Sequence, residues 1–262
     1  MRWIIENITK EPSYLALAAA AKNKALHVEE IKGDFSKSCV DWIPTHTKVA
    51  LFGSIEMVKI IGSILRRKQV WVVNENSARK YLCTAYYPYF TDLLFNDRYV
   101  VAPLGYFLER SSFFFDILGS DGCLFVRPNT GEKSFKGSLL KVEDMDVFKA
   151  QVSDEKAELI IVSSPKNIKS EWRFVVCSNG KIITQSSYKI ENKHTRTQDA
   201  PPEAFNFVHK VLERGYFPDN LFCIDIAEDS DGKFWLLELT SLNSAGLYAC
   251  DMGKIVEAVE KL

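Results

Sequence analysis

Phe125-Val126-Arg127-Pro128-Asn129-Thr130-Gly131-Glu132-Lys133-Ser134-Phe135-Lys136-Gly137 changes character midway. Its start closes an apolar run, Leu124 to Val126, that reads as a strand stopped by Arg-Pro. A turn-rich loop follows, bearing lysines and closed by Gly137. Glycine lets a backbone approach an anion closely, and cationic side chains offset phosphate charge. The spacing excludes a Walker A loop, because no Gly-Lys-Ser/Thr stands where that motif needs it. A solvated hairpin connection is the competing reading of the same residues.

Upstream of this stretch the sequence alternates strands and helices. Trp3 to Glu6, His27 to Ile31, Val49 to Phe52 and Gln69 to Val73 read as strands. Helices run from Pro12 to about Lys24, and from Gly53-Ser54 through Arg66. That order predicts a small α/β layer domain over residues 1–100. The aromatic segment Tyr81 to Phe95 fits either a pocket wall or ordinary core. A helical stretch is expected from Pro103 to about Leu118.

Downstream come a strand at Ser138 to Val142, a helix at Glu143 to Val152 and a uniformly apolar strand, Glu158 to Val162. Pro165 marks a break, which divides residues 101–262 into lobes of about 101–165 and 166–262. Two hairpins follow. Glu171 to Cys177 and Lys181 to Tyr188 flank Ser178-Asn179-Gly180, and Asn-Gly between apolar runs is a strong hairpin signal. A polar loop and a helix, Pro202 to Arg214, lead to the second hairpin, Leu221 to Ala227 and Phe234 to Leu239. A last helix begins near Asp251.

The second hairpin carries the clearest chemistry. Asp225 interrupts Phe222-Cys223-Ile224-Asp225-Ile226, and Glu238 interrupts Phe234-Trp235-Leu236-Leu237-Glu238-Leu239. A carboxylate on a buried strand is costly unless it is paired or holds a metal. A turn centred on Ser230-Asp231 sets the two roughly opposite one another. Two neighbouring carboxylates suit Mg²⁺, which takes one or two carboxylates together with substrate phosphates. Pairing with Arg or Lys in a structural network is the alternative. In the first hairpin, Glu171 and Arg173 share strand parity and point away from Trp172. An inward arginine forks to a phosphate or a carboxylate, whereas an exposed Glu171–Arg173 pair is the bland reading.

Composition sets the outer bounds. The chain has 262 residues, is 47% hydrophobic and 26% charged, and has a formal net charge of −1. It therefore carries no field to draw in nucleic acid or an acidic membrane. Its six cysteines are scattered without a Cys-x-x-Cys pair, and Met1 to Asn7 lacks signal-peptide regions. The apolar run Leu15 to Ala21 is too short to span a bilayer. A cytoplasmic protein is the expectation. His27, His46, His194 and His209 lack metal-ligand spacing, and no Ser-His-Asp or Cys-His set stands out.

Taken in order, Arg127-Pro128 with Lys133-Ser134-Phe135 and Gly137, Glu171-Trp172-Arg173, Ser187-Tyr188, Asp225, Glu238-Leu239 and Ala245-Gly246-Leu247-Tyr248 resemble the ATP-grasp superfamily. The resemblance is to its clade defined by two arginines and a lysine, frequent in phages and bacteria, and it covers roughly Gly122 to Asp251. It implies an ATP-grasp fold, mixed α/β and α+β, behind a small N-terminal α/β domain. It also implies ATP and Mg²⁺ as cofactors. The implied activity joins a carboxylate to an amine or thiol through an acyl phosphate, on a small-molecule or peptide substrate.

By the same resemblance, Arg127 and Lys133 reach ATP phosphates, and the backbone of Val162 and Ser163 reads adenine. Glu171 and Arg173 sit at the nucleotide and the transferred phosphate, and Asp225 and Glu238 hold metal. The usual Glu-x-Asn signature is Glu238-Leu239-Thr240 here, so Asn243 is the expected third metal ligand. Within the loop, Phe135 is expected to dock as Lys133 closes on the phosphates. A small-molecule kinase and a non-catalytic nucleotide-binding module remain as alternatives.

Overall fold

The sequence Trp3-Ile4-Ile5 is apolar on successive residues, the pattern of a strand covered on both faces. The computed structural model describes residues 1–7, 12–33, 35–74, 78–131, 134–152 and 157–262. In it, β1 (Arg2–Glu6), α1 (Pro12–Asn23), β2 (His27–Ile31), β3 (Lys48–Phe52), α2 (Ile55–Arg67) and β4 (Trp71–Val73) build a parallel sheet of order β2-β1-β3-β4. Ile4, Val49 and Leu51 face one core with Ile61 and Leu65 of α2. Trp3, Ile5, Ala50 and Phe52 face a second core with Leu17 of α1. Each fully buried Val, Leu, Ile or Phe among them contributes about 1.5–3 kcal/mol.

The strand-to-helix corner after β3 is tight. Ser54 caps α2 by accepting the Met57 N–H through Oγ at 3.2 Å, while its own N–H donates to Glu6 Oε2 at 2.6 Å. A Cβ on Gly53 would lie 2.4 Å from Met57 Cε and 2.7 Å from Glu6 Cβ. Gly53→Ala is therefore expected to lose about 1–3 kcal/mol by overpacking, read by urea denaturation.

Contacts group the chain into two compact units. The first holds residues 1–77, 169–226 and 238–262, the second 78–168 and 227–237. The second unit begins with α3 (Cys83–Tyr86), β5 (Tyr99–Pro103), α4 (Leu104–Glu109) and α5 (Ser111–Leu118). It continues with β6 (Cys123–Pro128), β7 (Ser138–Lys141), α6 (Met145–Gln151) and β8 (Leu159–Ser163). Its antiparallel sheet runs β5-β8-β6-β7, packed on Phe107, Phe114 and Phe148. The segment read as pocket wall or core is core, with Tyr86, Tyr87 and Phe90 fully buried. The long helical stretch breaks at Arg110 into α4 and α5. Arg127 and Pro128 are the last two residues of β6, which ends at the proline. They pair with Ile161 and Ile160 of β8, whereas the pairing with β7 ends at Val126, and a proline needs no donor on an unpaired side.

The rest of the first unit is a sheet of order β11-β10-β9-β12-β13. Its strands are β9 (Ser170–Cys177), β10 (Ile182–Ile190), β11 (Lys193–His194), β12 (Leu221–Glu228) and β13 (Phe234–Ser241). Helices α7 (Pro202–Leu212) and α8 (Met252–Glu260) complete it, and Asp251 caps α8 by accepting the Lys254 N–H at 3.0 Å. The Asn179-Gly180 turn forms as its sequence predicts, with Gly180 at φ 86°. The turn of the second hairpin is organised by Asp229, which accepts from Asp231 N, Lys233 N and Trp235 Nε1.

Candidate active site

The side chains with chemical potential in the first unit converge on β9, β12 and β13. Strand alternation turns Trp172 into the opposite face, where its Nε1 donates to Asp199 O at 3.2 Å, and leaves Glu171 and Arg173 on one side. β12 is the direct neighbour of β9, which brings Asp225 against Arg173. Arg173 donates from Nε to Asp225 Oδ1 at 2.7 Å and from Nη2 to Oδ2 at 2.6 Å. Its Nη1 donates to Gly246 O at 2.7 Å. Both side chains are buried, so this is a forked ion pair in a low-dielectric setting and not an exposed one. Burial works against the guanidinium charge, but Asp225 outweighs it and holds the Arg173 pKa above its ordinary value.

Glu171 stands beside this pair with its acidity altered. Burial first, and then Asp225, push its carboxyl up to about 7; Arg173 and Lys189 pull it down and Glu238 adds to the rise. Two carboxylates, Asp225 and Glu238, and two cations, Arg173 and Lys189, thus all act on Glu171. Burial also pushes up the Tyr248 phenol, to about 12, and the Cys223 thiol.

Two further observations bear on a divalent cation here. Thr240, two residues beyond Glu238 and so on the same side of β13, has a buried Oγ1 with no hydrogen-bond partner. Asn243, the expected third ligand, is committed elsewhere. Its Nδ2 donates to Leu51 O at 2.7 Å, and its Oδ1 accepts from Asn74 Nδ2 at 3.0 Å and from Ser241 Oγ at 3.4 Å. Both lone pairs of that oxygen are used, so Asn243 ties β13 to β3 and offers a metal nothing. Among the described residues no three His, Cys, Asp or Glu side chains form a metal cage. Two carboxylates with a hydroxyl oxygen match Mg²⁺, which leaves the remaining positions to water and phosphate.

In the second unit, Arg127 is half-buried on β6, and its charge acts on the buried Tyr87 phenol. A Cβ on Gly137 would meet the Phe125 ring at 3.2 Å and Arg127 Cβ at 3.3 Å, so glycine lets the returning chain pass close to this arginine. Val162 and Ser163 are interior, flanked by β5 and β6, and Ser163 Oγ donates to Asn96 Oδ1 at 3.2 Å. The next residue, Ser164, has a buried hydroxyl without a partner. Asn129 is pinned, because its Oδ1 accepts from Thr84 N at 2.9 Å and its backbone O from Cys83 N at 2.8 Å. Phe135 already packs edge-on against Phe148 at 5.4 Å. Lys133 lies outside the described residues.

Several solved structures share this fold. They include D-cycloserine synthetase DcsG, with TM-score 0.69, 11% identity, 100% of this chain and 99% of that one covered. A RimK-domain ATP-grasp protein from Sphaerobacter thermophilus has TM-score 0.66 and 12% identity over 99% and 100% of the two chains. D-alanyl-alanine synthetase A from Vibrio cholerae has TM-score 0.63 and 12% identity over 99% and 93%. No curated protein matches the sequence. Residues 113–258, more than half of the chain, match the model of the ATP-grasp domain, R2K clade family 2, and the protein belongs to that family. Among the described residues no helix is long and apolar enough to cross a membrane.

Proposed function

We propose that this protein is an ATP- and Mg²⁺-dependent ligase that joins a carboxylate to an amine or thiol through an acyl phosphate. Its substrate would be an amino acid, a peptide or a protein. The observation that carries this is the buried Arg173–Asp225 fork beside Glu171 and Glu238, in a chain of the ATP-grasp family. The names of structural neighbours support it, since these are a synthetase, a D-alanyl-alanine synthetase and the ligase PsnB complexed with its precursor, Mg and ADP.

Phosphoryl transfer to a carboxylate asks for charge neutralisation and positioning, not for a protein nucleophile. Asp225, Glu238 and the Thr240 hydroxyl would hold Mg²⁺, which when bound neutralises phosphate charge. Arg173, held by three hydrogen bonds, fixes the position of the Asp225 carboxylate. Arg127 would meet ATP phosphates from β6, with Lys133 from the loop, and the backbone at Val162, Ser163 and Ser164 would read the adenine edge. Glu171, with a carboxyl near neutrality, can take or release a proton at the working pH.

Incubation with ATP, Mg²⁺ and pools of amino acids and peptides, analysed by mass spectrometry, tests the reading. ADP with a new amide or thioester is the expected product. A phosphorylated product would make the protein a kinase instead, and no ADP above background would sink the proposal. Glu238→Gln keeps the volume and removes one charge, so turnover should fall by about a hundredfold or more. The melting temperature should stay within a few degrees of wild type.

A further inference from the structure

Ser187, Tyr188 and Tyr248 belong to the sequence motifs, yet the chemistry above gives them no task. The structure builds them around one exposed side chain, Arg196. The Ser187 hydroxyl accepts from Thr197 N at 2.9 Å and donates to Thr195 O at 2.7 Å. The Ser187 N–H donates to Thr197 O at 2.8 Å. Ser187 is itself fully buried, so the backbone is clamped on both sides of Arg196.

The guanidinium of Arg196 lies over the Tyr248 ring, 5.2 Å from its centroid, and that of Arg173 lies 5.1 Å from the same centroid. Tyr188 packs against Tyr248 at 5.0 Å. Tyr248 sits at φ 49°, a left-handed conformation that a bulky residue keeps only where its surroundings impose it. A Cβ on Gly246 would come within 3.3 Å of the ring. The ring is therefore fixed, and with it the place of both cations.

The two arginines differ in what they have left to give. Arg173 is buried and commits its Nε, Nη1 and Nη2 to Asp225 and Gly246, three of its five N–H donors. Arg196 has no hydrogen bond or ion pair among the described residues, so its donors remain available at the rim of the site. Two guanidiniums on one ring repel each other, and an anion at the second relieves that repulsion. A planar fork held by stacking, with its donors unpaired, is built to receive a carboxylate or phosphoryl oxygen pair.

We infer that Arg196 binds an oxyanion of the reactants, either the carboxylate being activated or the phosphoryl group passed to it. Ser187 and Tyr248 are its positioning residues. This rests on the ligase reading and gives that site its anion receptor.

Calorimetry on wild type, Arg196→Gln and Arg196→Lys tests it, with three probes. These are ATP with Mg²⁺, acetonylphosphonate (an inert acyl phosphate analogue with a methylene in place of the bridging oxygen) added to the protein with ADP and Mg²⁺, and inorganic phosphate added to the protein alone. Arg196→Gln should weaken acetonylphosphonate about tenfold or more, with the ATP affinity changed less than about threefold. Arg196→Lys, which keeps the charge without the fork, should recover part of the loss. A loss confined to ATP would support the inference and assign the oxyanion to the nucleotide. If wild type binds no ATP but its phosphate affinity falls in Arg196→Gln, the ligase reading fails and the receptor stands. Equal affinities of wild type and Arg196→Gln for every probe would overturn it, as would a wild type that binds none of them.

Discussion

Asp225→Ala should lower the unfolding free energy by about 3–5 kcal/mol, the range for breaking one partner out of a buried ion pair. The reason lies in what remains. Arg173 would keep only its bond to Gly246 O, and two guanidinium N–H groups would be left buried near Cys223. The charge cannot be shed, because arginine stays protonated under any folding condition. Equilibrium urea denaturation measures the loss, and a change under 1 kcal/mol would show that water reaches the guanidinium and that the pair is not sealed. The double variant Arg173→Met, Asp225→Leu removes both charges and should regain most of the stability, since apolar replacements of a buried pair are near neutral. It should still be inactive. That combination would separate the pair's structural role from its chemical one.

The sequence was legible where the signal was local. Alternating β-α-β runs foretold the parallel sheet, and Asn179-Gly180 foretold its hairpin. Asp225 and Glu238 stood out because a carboxylate among apolar neighbours is conspicuous without any fold. What could not be read depended on register between distant strands. Arg173 and Asp225 are 52 positions apart, and only the β9–β12 pairing decides whether that arginine forks to a carboxylate or to a ligand. Asn243 looked available because its partners, Leu51 and Asn74, lie far upstream in a different sheet. Strand β5 was hidden because Pro103 reads as a helix start. Arg196 carried no signal of its own, sitting in a polar segment that reads as loop, and its importance is visible only through the Ser187 clamp and the Tyr248 ring.

The stability of the metal-free protein should fall as pH rises from about 4.5 to 7, through Glu171. The ordinary value of this carboxyl is 4.5, and in the folded protein it stands at about 7. Between those values the folded protein holds a proton that the unfolded chain has released, so raising the pH favours unfolding. The full shift corresponds to a loss on the order of 3 kcal/mol above pH 7. Other groups titrate in the same window, and the comparison with Glu171→Gln removes them. The variant carries no titratable carboxyl there and should be more stable than wild type at pH 8, with the advantage shrinking toward pH 5. Added Mg²⁺ should reverse the wild-type loss at pH 8, because a dication at Asp225 and Glu238 favours the ionised Glu171 beside them. At pH 5, with Glu171 protonated, the ion should stabilise much less. Urea titrations of both proteins at the two pH values, with and without Mg²⁺, supply the eight numbers needed, roughly one per corner of a thermodynamic cube. If the difference between wild type and Glu171→Gln is the same at pH 5 and pH 8, Glu171 is not held protonated by its neighbours. The electrostatic coupling of Glu171 to Asp225 and Glu238 would then lose its physical basis.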